Sequence, residues 1–208
     1  MTTEEVYVKN DGTGFDAVEN SVDSFIEKIG FPVRSGLHIK LLTEEMLGMV
    51  KAITRDFEAF FWMEGDAIEC VIRLRAKVEM DPVKRRGLMS ISTSGKNIFA
   101  KGIMGKIREL VEIGMENYDD VGKLQKRYGV APVSYGMMGV NSEMMSQAVV
   151  SWSLKQYRDN VSDSRDENEV NEVAWDELEK SIIANIADDV QVGIMKDKVE
   201  LIITKRFV

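Results

Sequence analysis

Two adjacent glutamates, Glu44 and Glu45, sit in the run Ile39-Lys40-Leu41-Leu42-Thr43-Glu44-Glu45-Met46-Leu47-Gly48-Met49-Val50. At helical pitch, Leu42, Met46, Met49, Val50 and Ile53 share a broad apolar face, with Lys40, Thr43, Lys51 and Thr54 gathered opposite. Glu45 falls inside the apolar arc, between Leu41 and Met49, and Glu44 at its polar edge. A carboxylate carried into an apolar face needs a partner or a raised pKa. It is then either a base held out of water or one half of an ion pair, with Arg73 or Arg75 as the cation. As a base acting on a small molecule it would stand without an accompanying nucleophile or metal cluster. His38 is the one histidine, so no second imidazole exists to complete a metal pair. Cys70 alternates inward on a strand pattern and reads as a buried hydrophobe. Asp81 precedes Pro82, the arrangement of a turn or a helix cap. Gly102 and Gly105 fall in a helical stretch, where each costs about 1 kcal/mol against alanine. That cost implies a packing or ligand reason, or a helix that begins later. Met137, Met138, Met144 and Met145 read as core, with a pliable partner surface as the other use of such residues.

The elements that must carry these residues follow from periodicity. Residues 5–9 read as a short strand, and Asn10-Asp11-Gly12 with Gly14 supplies turn chemistry. Phe15, Val18, Val22, Phe25, Ile26 and Ile29 recur at three- and four-residue steps, predicting a helix that Gly30 ends and Pro32 keeps from resuming. The glutamate-bearing helix is expected over about 36–54. Residues 57–63 and 67–80 read as a hairpin about Glu64-Gly65-Asp66. In its second strand, Ile68, Cys70, Ile72, Leu74, Ala76 and Val78 alternate with Glu69, Arg73, Arg75, Lys77 and Glu79. A short helix over 82–89, a polar loop over 90–97 and a helix over about 98–115 come next. The span 117–169 is the least regular and includes an expected helix over 142–157, while 162–171 is nearly all polar. Residues 175–187 are amphipathic through Leu178, Ile182, Ile183 and Ile186, and 190–195 and 199–207 read as a closing pair of strands. The expected architecture is one domain over 1–208, interrupted by a helical insertion at about 117–171. Its class is α/β in the α+β sense, a two-layer sandwich. A mixed, mostly antiparallel sheet would be covered on one face by helices.

The segment from Ile39 to Val50 resembles the first conserved box of the histidine-kinase-like ATPase superfamily, which includes gyrase and sensor-kinase ATP domains. In element order the chain is most similar to the compact anti-sigma-factor serine kinases: an early strand, an adjacent helix, the acidic helix, then a hairpin, with a second hairpin at the end. The resemblance covers both ends of the chain and is weak from Asn117 to Glu169. It implies that Glu45 assists as a base or positions water, and that the residue four positions later holds Mg²⁺ against the phosphates. An i, i+4 pair lies on one helical face, which is why that spacing matters. The residue at that position is Met49 or, if Glu44 takes the role, Gly48. Neither offers a hard oxygen ligand, so the resemblance implies weak or absent phosphoryl chemistry. It further implies that Asp81 accepts a hydrogen bond from the adenine amino group, although Pro82 and Val83 stand where the family has glycine. Gly95, Gly102 and Gly105 would form a lid and helix start offering backbone amides to phosphate, and Lys96 would add a cation.

Composition bounds the function classes. Across 208 residues the formal net charge is −8, a field that repels a phosphate backbone and an anionic membrane surface. A small nucleotide is not excluded, because it needs only local amides and an ion. One cysteine permits no internal disulfide, which suits a reducing compartment. No apolar run approaches the roughly 20 residues of a membrane helix, and the polar start, Met1 to Glu5, is unlike a signal peptide. The expectation is a cytoplasmic regulatory protein that binds ATP or ADP, with or without magnesium. It would act on a protein partner and not on nucleic acid or membrane, as a monomer or a homodimer. The rival expectation is a protein-interaction module that keeps the fold and binds no nucleotide.

Overall fold

The computed structural model describes residues 1–53, 57–78, 107, 131–132, 150–163, 175–176, 178–195 and 198–207. In chain order the elements are β1 (Val6–Lys9), α1 (Phe15–Ile29), α2 (Val33–Ile53), β2 (Phe57–Gly65), β3 (Glu69–Val78), β4 (Ala131–Pro132), β5 (Val150–Ser153), α3 (Leu154–Asp163), α4 (Ile182–Ile186), β6 (Asp189–Met195) and β7 (Lys198–Arg206). The strands form one seven-stranded sheet in the order β1-β2-β3-β7-β6-β5-β4. Every pairing in it is antiparallel.

Alternation in the strands decides which face is core. Register pairs Ala59 with Ala76, Phe61 with Leu74 and Met63 with Ile72, and then these β3 residues with Val199, Leu201 and Ile203. Val190, Val192 and Ile194 of β6 extend the same rows, and Trp152 of β5 faces Val192. All of these side chains are buried. The helices lay their apolar stripes on this face. α1 contributes Val18, Val22 and Phe25, α2 contributes Ile39, Leu42, Met46, Met49 and Val50, and α4 contributes Ile183, in one continuous cluster. The result is an α+β sandwich.

The junction between β1 and α1 is built from local chemistry. Thr13 N–H donates to Asp11 Oδ1 at 2.9 Å, and Gly12 N–H reaches the Lys9 carbonyl at 3.2 Å. Gly14 caps α1 at φ 84°, and its carbonyl accepts from Val18 N–H at 3.0 Å. At the other end Gly30 is left-handed (φ 81°), with Gly30 N–H and Phe31 N–H both reaching the Ile26 carbonyl at 3.0 and 3.1 Å. Phe31 is turned back between Phe25 and Phe207, with ring centroids at 6.2 and 4.8 Å.

Several elements differ from the sequence expectation. α2 begins at Val33, three residues early, because Pro32 starts it: the Pro32 carbonyl accepts from Gly36 N–H at 2.9 Å. Proline is excluded from a helix interior, not from its entrance. Ile68 is not an inward strand residue but is 68 % exposed in the turn. There Asp66 Oδ1 accepts from Ile68 N–H and Glu69 N–H. Of the helix expected over 142–157, the described residues are strand at Val150–Ser153 and helix from Leu154, while 142–149 lie outside the described residues. Asp189 makes that switch: its Oδ1 accepts from Ser153 Oγ at 2.9 Å and from Lys155 N–H at 3.0 Å, while Ser153 Oγ accepts from Gln156 N–H at 3.3 Å. Two side chains thus satisfy two of the orphan donors of the first turn of α3, the Lys155 and Gln156 N–H groups. The helix expected over 175–187 is interrupted at Ser181, whose side chain caps α4 by accepting from Ala184 N–H at 3.3 Å. The expected helices over 82–89 and 98–115 lie outside the described residues, apart from Ile107, which is helical and buried.

Candidate functional site

α2 is anchored by its buried side, and this fixes what its other side can offer. Met46 and Met49 are 0 and 1 % exposed within the core. Thr43, expected on the polar side, is buried and donates its hydroxyl to the Ile39 carbonyl at 3.0 Å. Glu45 is half-buried at the edge of the packed face, and Glu44 is exposed. Gly48 is exposed beside open space, with nothing within 4 Å of where a Cβ would stand. The i, i+4 pair that faces outward is therefore Glu44 and Gly48, whereas Glu45 is followed by a methionine in the core. His38 is half-buried on the same helix.

The arginines proposed as partners for Glu45 are not available to it. Core-face residues of β3 are the even-numbered ones, so Arg73 and Arg75 point to the opposite face of the sheet, away from α2. There they form a layer of their own. Trp62 Nε1 donates to Glu64 Oε1 at 2.8 Å, and Arg73 Nε lies 3.1 Å from the same oxygen. That distance makes an ion pair, but the N–H is not aimed along it, so Arg73 Nε makes no directed hydrogen bond among the described residues. Arg75 Nη2 donates to Glu200 Oε1 at 3.3 Å, and its guanidinium lies 5.3 Å from the Trp62 ring centroid. Glu200 is fully buried and Arg73 is 4 % exposed, with Ser151, Ser153 and Ile202 also buried on this face. A charge in the middle of a sheet face is retained only where it is paired, and these pairs tie β2 to β3 and β3 to β7. Sequence reasoning did not single out Glu200, although a lone carboxylate between Val199 and Leu201 in an apolar strand is a readable signal.

Cys70 faces the core from β3 and is fully buried. Burial, with the Glu69 carboxylate a lesser cause, pushes its thiol from 9.0 up to about 12. The thiolate is the reactive form, so this sulfur is inert in the fold. Iodoacetamide at pH 8 should leave the native chain unlabelled and modify it once urea unfolds it; rapid native labelling contradicts the burial. A thiol whose pKa is higher folded than unfolded contributes fully below pH 9.0, and stability falls as pH rises from there towards about 12.

Asp81, Gly95, Lys96, Gly102 and Gly105 lie outside the described residues, as do Met137, Met138, Met144 and Met145. Among the described residues no group of three or more metal-ligating side chains converges, and no helix is long and apolar enough to cross a membrane. No protein-family model, no curated protein and no solved structure matches this chain.

Proposed function

We propose that this chain is a divergent ATP- or ADP-binding regulatory domain of the histidine-kinase-like superfamily. It resembles an anti-sigma factor, acts in the cytoplasm on a protein partner, and turns over little or no ATP. The observation that carries this reading is the acidic helix itself. α2 follows β1 and α1, precedes the β2–β3 hairpin, and packs on the same sheet that the closing β6–β7 hairpin joins. That is the element order which the resemblance implies. In this reading the nucleotide lies between α2 and the chain from Asp81 to Gly105. Asp81 accepts from the adenine amino group, the amides from Gly95 to Gly105 meet the phosphates, and Lys96 adds positive charge.

The metal position supports a binding role over a catalytic one. Met49 is in the core, and Gly48 has no side chain to offer. A metal clamp on the transferred phosphoryl group is worth several kcal/mol in the transition state, so its loss slows the reaction by orders of magnitude. Phosphate release from ATP by the purified chain should stay at background with and without Mg²⁺. Robust Mg²⁺-dependent hydrolysis that disappears in Glu45→Ala or Glu44→Ala would falsify the non-catalytic assignment. The same missing ligand favours the second reading, an interaction module that keeps the fold and binds no nucleotide.

A further inference from the structure

α2 carries an outward apolar stripe that the core does not use. Val33 is 83 % exposed, Leu37 55 % and Leu41 39 %. Four-residue spacing keeps them on one side of the helix, along the line that continues to Glu44 and Gly48. Two charges flank this stripe. Arg34 and Glu44 are both exposed, and among the described residues neither makes an ion pair. Their neighbour Lys40, by contrast, is held by Asp23 at 2.6 Å.

Leu37 with Leu41, and Arg34 with Glu44, are arranged symmetrically along the helix. The level midway between Leu37 and Leu41 is that of position 39, and the level midway between Arg34 and Glu44 is the same. A two-fold axis through that level lays α2 of one copy antiparallel on α2 of another. Leu37 then meets Leu41 of the second copy, and Arg34 meets its Glu44, each contact occurring twice, as a self-complementary interface requires.

We propose that the outward face of α2 is a self-association surface whose occupant is α2 of a second copy of this chain, antiparallel about a two-fold axis. The inference goes beyond the nucleotide reading and does not rest on it. One helix pair buries less than a standard stable interface, and a chain of net charge −8 repels its copy at long range, so the dimer is weak. The double charge swap keeps the net charge at −8, so it reports on the pairing without changing that long-range repulsion.

The test is sedimentation equilibrium of the full chain without nucleotide, up to about 1 mM, where a dimer with Kd in roughly the 10 µM to 1 mM range is expected. Leu37→Glu should raise that Kd by about tenfold or more. Arg34→Glu and Glu44→Arg should each raise it by about three- to tenfold, and the double variant should return it towards the parent value. All four positions of the contact lie at the surface, and circular dichroism confirms that each variant folds. A chain that is monomeric throughout overturns the proposal. So does a dimer undiminished by Leu37→Glu, or a double variant weaker than both single ones.

Discussion

Gly14→Val should destabilise the chain by about 3 kcal/mol or more, a large share of the 5–15 kcal/mol typical of a domain. Two effects add at this one position. Gly14 holds φ 84°, a left-handed conformation that costs an L-residue roughly 1–2 kcal/mol and a β-branched one more. In addition, a Cβ at Gly14 would collide with the carbonyl oxygen of Tyr7 on β1. That oxygen belongs to the backbone and cannot rotate away as a side chain would, so the β1–α1 junction has to open. β1 pairs with β2 from Val6 to Lys9, and α1 supplies Val18, Val22 and Phe25 to the core, so the damage spreads to both. Gly12 provides the control. Its φ is 96°, but nothing lies within 4 Å of its absent Cβ, so Gly12→Ala should show conformational strain alone, about 1 kcal/mol. Urea midpoints at constant m measure the difference. Equal losses for the two variants would show that the Tyr7 contact is not what makes Gly14 necessary.

Met49→Asn should cost about 3 kcal/mol or more, while Gly48→Asn should leave stability within about 0.5 kcal/mol of the parent. Both substitutions restore a side-chain oxygen four residues after a glutamate, and they separate the two registers of the acidic helix. Met49 is 1 % exposed in the core cluster. Asparagine there removes an apolar side chain and buries an amide. Gly48 is a solvent-facing helical glycine with open space around it, so asparagine neither clashes nor loses helix propensity. If nucleotide binds along the outward face, Gly48→Asn should strengthen binding of Mg-ATP over ATP alone by a few-fold, with Glu44 as the acidic member of the pair. No gain in Gly48→Asn, with a gain in the folded fraction of Met49→Asn, would return the role to Glu45.

The strands were legible because a half-buried antiparallel strand writes its burial in alternation. Ile72, Leu74 and Ala76 are buried on one face as expected, and the two hairpins fall in one sheet. The helix ends were less legible, because Pro32 and Ser181 act through position. Proline stops a helix in its interior but starts α2, and Ser181 divides an amphipathic pattern that periodicity alone reads as continuous. The strand at Val150–Ser153 was missed because only pairing to β6 and the Asp189 cap, 34 residues from Lys155, distinguish it from the helix that follows. The apolar arc of α2 was read correctly for Met46 and Met49, but the partners offered for Glu45 were not. A helical wheel gives the angle of a carboxylate. It does not tell which face of the sheet an arginine will take, and Arg73 and Arg75 took the far one to pair with Glu64 and Glu200.

Calorimetric titration of the parent chain with ATP and with ADP, each with and without Mg²⁺, tests the nucleotide reading most directly. The account predicts saturable binding of both nucleotides, with affinity changed little by Mg²⁺ because no oxygen ligand stands at position 48 or 49. Asp81→Asn should then weaken ADP binding by roughly 1–3 kcal/mol if its carboxylate accepts the adenine hydrogen bond. Absence of heat with either nucleotide, at concentrations up to about 1 mM, contradicts the account and leaves the interaction module in its place.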